Sequence, residues 1–418
     1  MIEWCIIITL IGEVLFFTRL DKIVYGTWIT PICLLAVPYT VIVVIAFFCA
    51  PMLGYIPLYV ESVWIWIFGL FFFWLPGQIV MLLLSKKVRA SVKKSKFFFF
   101  EKESEKIVLI LSCITITLLC YGLFVSLKSL GFYQIATDEF AKSYGYGIIG
   151  HVKNFSMSLF VFLIGTACRK NIVGLIVIII FFVLYLMYPV KSWLIIPVLA
   201  GAIYRFSTGR SKLSVLKVIV ITFFVFSIFV MSYLVEFGVK STDVFFNYEV
   251  YRQLASHFAG YLFSGVLSLG DAVRMGIGNL NGDSQVIFAP FLNIYAIITS
   301  GQIISSITYN FSFISLYDID QSNVHTLFGT LLINLGIFPS IIYVICFGVF
   351  VYGLFVFANI TNNCWIGIAW SFIAIILLLG WFDFYLKSLP FVEVPVYCAV
   401  LAIVQRQRMY REKVKGYQ

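Results

Sequence analysis

Long uncharged apolar runs recur from one end of this chain to the other, and they constrain its fold more than any other feature. A bilayer core takes roughly 20 residues of helix. Eleven runs approach or exceed that length, at 2–18, 28–50, 58–84, 107–127, 151–168, 171–188, 192–206, 217–235, 340–357, 365–386 and 390–405. Several contain proline (Pro31, Pro38, Pro76, Pro197 and Pro395). Membrane helices tolerate proline when neighbouring groups satisfy the freed carbonyls. With 62% of its residues apolar and only 11% charged, the chain has too little polar surface for a solvated enzyme. The same composition excludes a disordered chain and a small disulfide scaffold. Outer-membrane barrel strands alternate over about ten residues, which these runs do not do. The expected fold class is an all-α polytopic integral membrane protein, with about eleven transmembrane helices and one large outer-face loop holding amphipathic helices.

The net charge of +10 would suggest nucleic acid in a soluble protein. In a membrane chain it reports topology, because cytoplasmic loops collect Lys and Arg. The segment SKKVRASVKKSKFFFFEKESEK, 85–106, holds eight of them and anchors the cytoplasmic side, with Phe97 to Phe100 at the headgroups. Counting outward puts the N-terminus outside and the C-terminus inside. Of the 29 Lys and Arg, 21 then fall inside and eight outside. The first run lacks the basic start and small-residue cleavage site of a signal peptide. The nine cysteines lie in or beside apolar runs and read as packing residues, with no disulfide or metal framework. No metal-ligand motif and no internal repeat is present, and no cofactor is expected.

On this frame the chain divides into a first membrane bundle of eight helices (1–235), a large outer stretch (236–340) and three C-terminal helices with a basic tail (341–418). A smaller outer loop spans 128–150. Loops beyond about 15 residues usually carry function or disorder. The large stretch is rich in Phe, Tyr, Leu and Ile, which argues for function. Its semi-apolar segments 253–270 and 286–307 read as surface helices or as re-entrant segments facing protein. The alternative is that both cross, giving thirteen spans.

All three histidines, His151, His257 and His325, fall on the outer side. So do Lys128, Lys142, Lys153, Lys191, Lys240, Arg252, Arg274 and Lys387. Cations there run against the topology rule, so each needs a local reason. Lys191 sits at the hydrocarbon edge between two apolar runs, where a cation is either functional or a snorkelling hairpin tip. Arg252 and His257 open a surface helix, and Arg252 also reads as a lipid-phosphate anchor. Arg274 follows Asp271 by three residues, the spacing of an ordinary surface ion pair. His325, flanked by Asp318, Asp320 and Asn323, suits a general base, a phosphate partner or a structural cap. Gly329 and Gly336 permit close packing or a helix break after it.

Three stretches carry a resemblance to a known family. They are YPVKSWLIIPVLAGAIYRF from Tyr188, YRQLASHFAGYLFSGVLSLGD from Tyr251 and SNVHTLFGTLLINLGIFPSIIYVICFGVFVYG from Ser322. Together with the late outer stretch, they resemble the bacterial oligosaccharide repeat-unit polymerases of O-antigen and capsule. The chain departs from that family in having Lys191 where Arg is commoner, and Leu332, Asn334 and Leu335 near the loop exit.

The resemblance implies a metal-independent glycosyltransferase of the bacterial inner (cytoplasmic) membrane. It would join undecaprenyl-diphosphate-linked repeat units at the outer face, making O-antigen, capsule or exopolysaccharide. Donor and acceptor are then lipid-linked glycans in the bilayer, a chain-length regulator and a flippase are the expected partners, and nucleic acid is not. Lys191 and Arg252 would hold the diphosphate, with Arg274 in support. His325 or His257 would take the acceptor proton. The competing classes are a lipid-linked oligosaccharide flippase or other transporter, an O-antigen ligase, a polyprenyl-phosphate-sugar glycosyltransferase and a membrane acyltransferase on His325 and Asn323.

Overall fold

The computed structural model describes residues 2–94, 101–135, 137–168, 171–188, 192–238, 248–277, 282–299, 301–306, 310–317, 320–361 and 363–415. Lys191, Lys240, Asp318 and the Phe97–Phe100 cluster lie outside the described residues. The chain is an all-α membrane protein. Among the described residues, six helices are long and apolar enough to cross a bilayer: Pro31–Cys49 (α2), Val60–Leu83, Ser104–Leu130, Gly147–Thr166 (α7), Val215–Leu234 and Ile337–Thr361 (α14). Each matches one of the eleven expected runs. Four others are apolar but shorter: Ile172–Leu186, Ser192–Ser207, Ser284–Thr299 and Cys364–Leu378. At 1.5 Å per residue, 15 residues reach only about 22 Å, short of a core of about 30 Å. The run 365–386 shows why expectation and structure differ. Its helix stops at Leu378, and the chain then turns through Gly380 to a short 3-10 turn at Tyr385–Lys387.

Two compact units emerge. The first comprises Met1–Ser95, Ala255–Ile360 and Ile373–Val392. Its first helix, Ile2–Tyr25 (α1), packs on α2, which starts at a Thr30 cap followed by Pro31. The helix Val63–Leu83 (α3) closes the trio. Asp21, fully buried on α1, ties them to α14. Its carboxylate accepts from Trp74 Nε1 at 3.0 Å, Gln78 Nε2 at 2.7 Å and the Tyr352 hydroxyl at 2.8 Å. A buried carboxylate needs several donors to offset its lost hydration, and these supply them.

From Ala255 on, the late 236–340 stretch joins this same unit. The helix Tyr248–Met275 (α11) exposes its opening turns, while Phe263 to Leu269 are buried. Beyond it run Ser284–Thr299, a two-stranded antiparallel ladder of Ser312–Phe313 with Gln321–Ser322, and the nine-residue helix Leu327–Leu335 (α13). The loop before α3 is stitched to the ladder. Ile56 N donates to Ile314 O at 2.9 Å and Leu316 N to Gly54 O at 2.9 Å. The Tyr55 hydroxyl reaches Ser256 O on α11. Gly265 lets α11 lie against the 381–382 backbone, where an added Cβ would come within 2.5 Å of both carbonyl oxygens. Gly265→Val is therefore expected to cost at least the 1–3 kcal/mol typical of overpacking, seen as a lowered melting temperature in detergent.

The second unit comprises Lys96–Leu254, Thr361–Phe372 and Glu393–Gln418. Here α7 packs closely on Ser192–Ser207 (α9) at Gly165 and Gly201, which face Tyr204 and Ile164. The 128–150 segment, expected as an outer loop, holds a helix of its own. Its Asp138–Gly145 helix, capped by Thr137, sets Phe140 and Tyr144 into a cluster with Ile135 and Tyr188.

Candidate functional site

In the first unit, a buried polar cluster forms at the end of the late 236–340 stretch. His325 is 1% exposed, with Nε2 3.4 Å from the Ser312 hydroxyl. Thr326 follows with φ of +63°, the only non-glycine residue described in that region. A threonine pays for that conformation with strain, so its surroundings must fix it. They do so with three bonds. Thr326 N donates to Phe382 O at 3.1 Å, Trp66 Nε1 donates to Thr326 Oγ1 at 3.0 Å, and the same oxygen caps α13 by accepting from Gly329 N. Leu327 N adds a bond of 2.7 Å to Gly380 O. Two segments far apart in sequence, 325–330 and 380–387, are thereby held together.

What they hold is an ion pair. Asp383 and Lys387, both over nine-tenths buried, meet at 2.6 Å. The carboxylate also accepts from the Thr330 hydroxyl at 3.0 Å and from Phe384 N at 2.7 Å. Burial pushes His325 down to about 4, with Asp383 pulling upward and Lys387 pushing further down. The imidazole is thus neutral near pH 7 and acts as a hydrogen-bonding group, not a cation. Beside the pair runs a line of rings. His257 stands edge-on to Tyr261, which stacks on Phe382, and Phe382 faces Tyr385. Aromatic faces of this kind suit sugar rings, and a carboxylate–ammonium–imidazole group suits proton transfer and charge neutralisation.

In the second unit, a separate polar cluster gathers on α7. Lys153 is 2% exposed, its ammonium 3.8 Å from the Tyr188 ring centre and 4.4 Å from that of Trp193. Cation–π contact with two desolvated rings compensates part of the burial. Glu393 accepts from Asn154 Nδ2 at 2.6 Å and pairs with His151 Nδ1 at 2.7 Å. Lys153 and Lys387 are two of the eight cations expected outside, and their local reasons are these clusters.

The remaining sequence candidates fall elsewhere. Lys191 lies outside the described residues, and its chain neighbours Tyr188 and Trp193 are the rings that cover Lys153. Arg252 is exposed and pairs with Glu249 one turn away at 2.9 Å. Arg274 is exposed in the last turn of α11. His257 is exposed on the same helix. Asp383, Glu393 and Thr326 were not singled out in the sequence. The available signal was local, an acid four residues before Lys387 in the run WFDFYLK. Among the described residues, no three His, Cys, Asp or Glu side chains converge as a metal-ligand set.

No curated protein and no solved structure matches the chain. Residues 54–411 match a family described as a family of unknown function, DUF6337. That match takes in both clusters and most of the chain, which therefore belongs to the DUF6337 family.

Proposed function

We propose that the protein polymerises undecaprenyl-diphosphate-linked oligosaccharide repeat units at the outer face of the bacterial inner membrane. The observation that carries this reading is the buried Asp383–Lys387 pair beside His325, at the exit of the late outer stretch. Both segments fall on the same side in the eleven-span topology, with the N-terminus outside and the C-terminus inside. In the proposed step, an acceptor sugar hydroxyl on one lipid-linked unit gives its proton to the Asp383 carboxylate. Its oxygen bonds to the anomeric carbon of the growing chain. The bond from that carbon to the lipid diphosphate breaks, and the diphosphate leaves with the electron pair. Lys387, released from Asp383 as that carboxylate is protonated, neutralises the departing charge. Neutral His325 orients the hydroxyl or Ser312. Tyr261, Phe382 and Tyr385 supply faces for sugar rings, and Arg274 remains a candidate for the distal diphosphate.

A second reading, a lipid-linked oligosaccharide transporter, draws on the other cluster. A buried Lys153 with Glu393 and His151 inside helices is the kind of group that couples transport to protons. Deleting the gene in its host and running the surface glycan on a gel separates the two. Polymerase loss collapses the ladder to one repeat on its carrier, restored by the wild-type chain. If undelivered units instead accumulate on the inner leaflet, the transporter reading replaces the polymerase.

A further inference from the structure

We infer that the C-terminal end of α1 carries a site for the headgroup of an anionic glycerophospholipid, separate from both polar clusters. A cavity of about 670 Å³ opens there, lined by Leu15, Thr18, Arg19, Lys22, Ile23 and Trp28. Leu15, Arg19 and Ile23 are spaced by four residues and Lys22 follows Arg19 by three, so one helix face carries all of them. Ile8, Leu15, Phe16 and Ile23 are each more than half exposed, which in a membrane protein marks a face meant for acyl chains. Leu15 sits about 6 Å along the axis from Arg19, so an apolar wall lies about one turn from the cation.

The cations decide what the cavity takes. Arg19 is exposed, with no hydrogen bond or ion pair among the described residues. The Lys22 ammonium rests over the Trp28 ring, 4.1 Å from its centre, and its side chain is exposed. Gly26, at φ of +76°, makes the turn that brings Trp28 back to this place. Asp21, the carboxylate nearest in sequence, points the other way into its buried network. The Thr18 hydroxyl is spent on its own helix, donating to Val14 O at 2.6 Å. Two positive charges and a ring at the headgroup level, above an apolar wall, complement a phosphate carried on acyl chains.

The test uses the full chain in detergent and native mass spectrometry with phosphatidylglycerol or phosphatidylcholine of identical acyl chains. Wild type should retain phosphatidylglycerol about tenfold better than phosphatidylcholine. The variant Arg19→Gln/Lys22→Gln should lose that preference at an unchanged melting temperature, because both side chains are exposed. Neutralising exposed Lys212 instead should leave it intact. Equal retention of the two lipids by wild type, or an undiminished preference in the double variant, overturns the site. Displacement of the lipid by soluble glycerol phosphate at matched concentration also overturns it, since the pocket would then read phosphate without the chains.

Discussion

Replacing Lys387 by methionine should destabilise the protein by about 3–5 kcal/mol, the usual cost of stripping one partner from a buried ion pair. Among the described residues, the Asp383 carboxylate would be left with the Thr330 hydroxyl and Phe384 N–H, in a site over nine-tenths buried. The double variant Asp383→Asn/Lys387→Met should recover most of that loss, because the orphaned charge goes with its partner. An asparagine oxygen still accepts from Thr330 and from Phe384 N. Thermal unfolding in detergent reads both. On the proposed chemistry, the double variant nonetheless makes no polymer, since the carboxylate that takes the proton and the ammonium beside it are both gone. A double variant that folds like wild type and still extends the glycan removes the pair from the reaction. Single variants that melt like wild type would show instead that the pair is reached by water and worth little.

The pair also shows where reading the sequence stops. Helix existence was legible at most positions, because uncharged runs of about 20 residues have few stable alternatives in a membrane chain. The run 365–386 was legible as apolar but not as broken. Its break depends on Thr326 and Leu327, whose N–H groups take the carbonyls of Phe382 and Gly380. Hydropathy carries no information about such tertiary bonds. His325 was legible as a polar residue at a loop exit. Of its neighbours, Lys387 was legible only as a misplaced cation and Asp383 not at all, since both reach it from a turn in a separate stretch of the chain, 380–387. Arg252 with Glu249 is the opposite case, fully local and readable from a spacing of three. Lys153 was legible only as a cation out of place, because Tyr188 and Trp193 reach it from one separate stretch and Glu393 from another.

His325 should make the fold acid-sensitive. Burial holds its folded value at about 4, against an ordinary 6.5. Between those values the unfolded chain takes up a proton that the folded chain refuses, so stability is full above about pH 6.5 and falls as pH drops toward 4. Across that window the loss is about 3 kcal/mol. Thermal unfolding from pH 7.5 to 4.5 should show the fall, and His325→Gln should flatten it while keeping a hydrogen bond to Ser312 within reach. The two charges facing the imidazole, Asp383 and Lys387, act in opposite directions. Removing Asp383's charge deepens the acid loss, and removing Lys387's reduces it. If wild type is flat across the window, His325 is protonated in the folded protein, and it would bring a positive charge to the departing diphosphate alongside Lys387. If the slope survives in His325→Gln, another buried group carries it, and the neutral imidazole loses its support as the group that orients the acceptor hydroxyl.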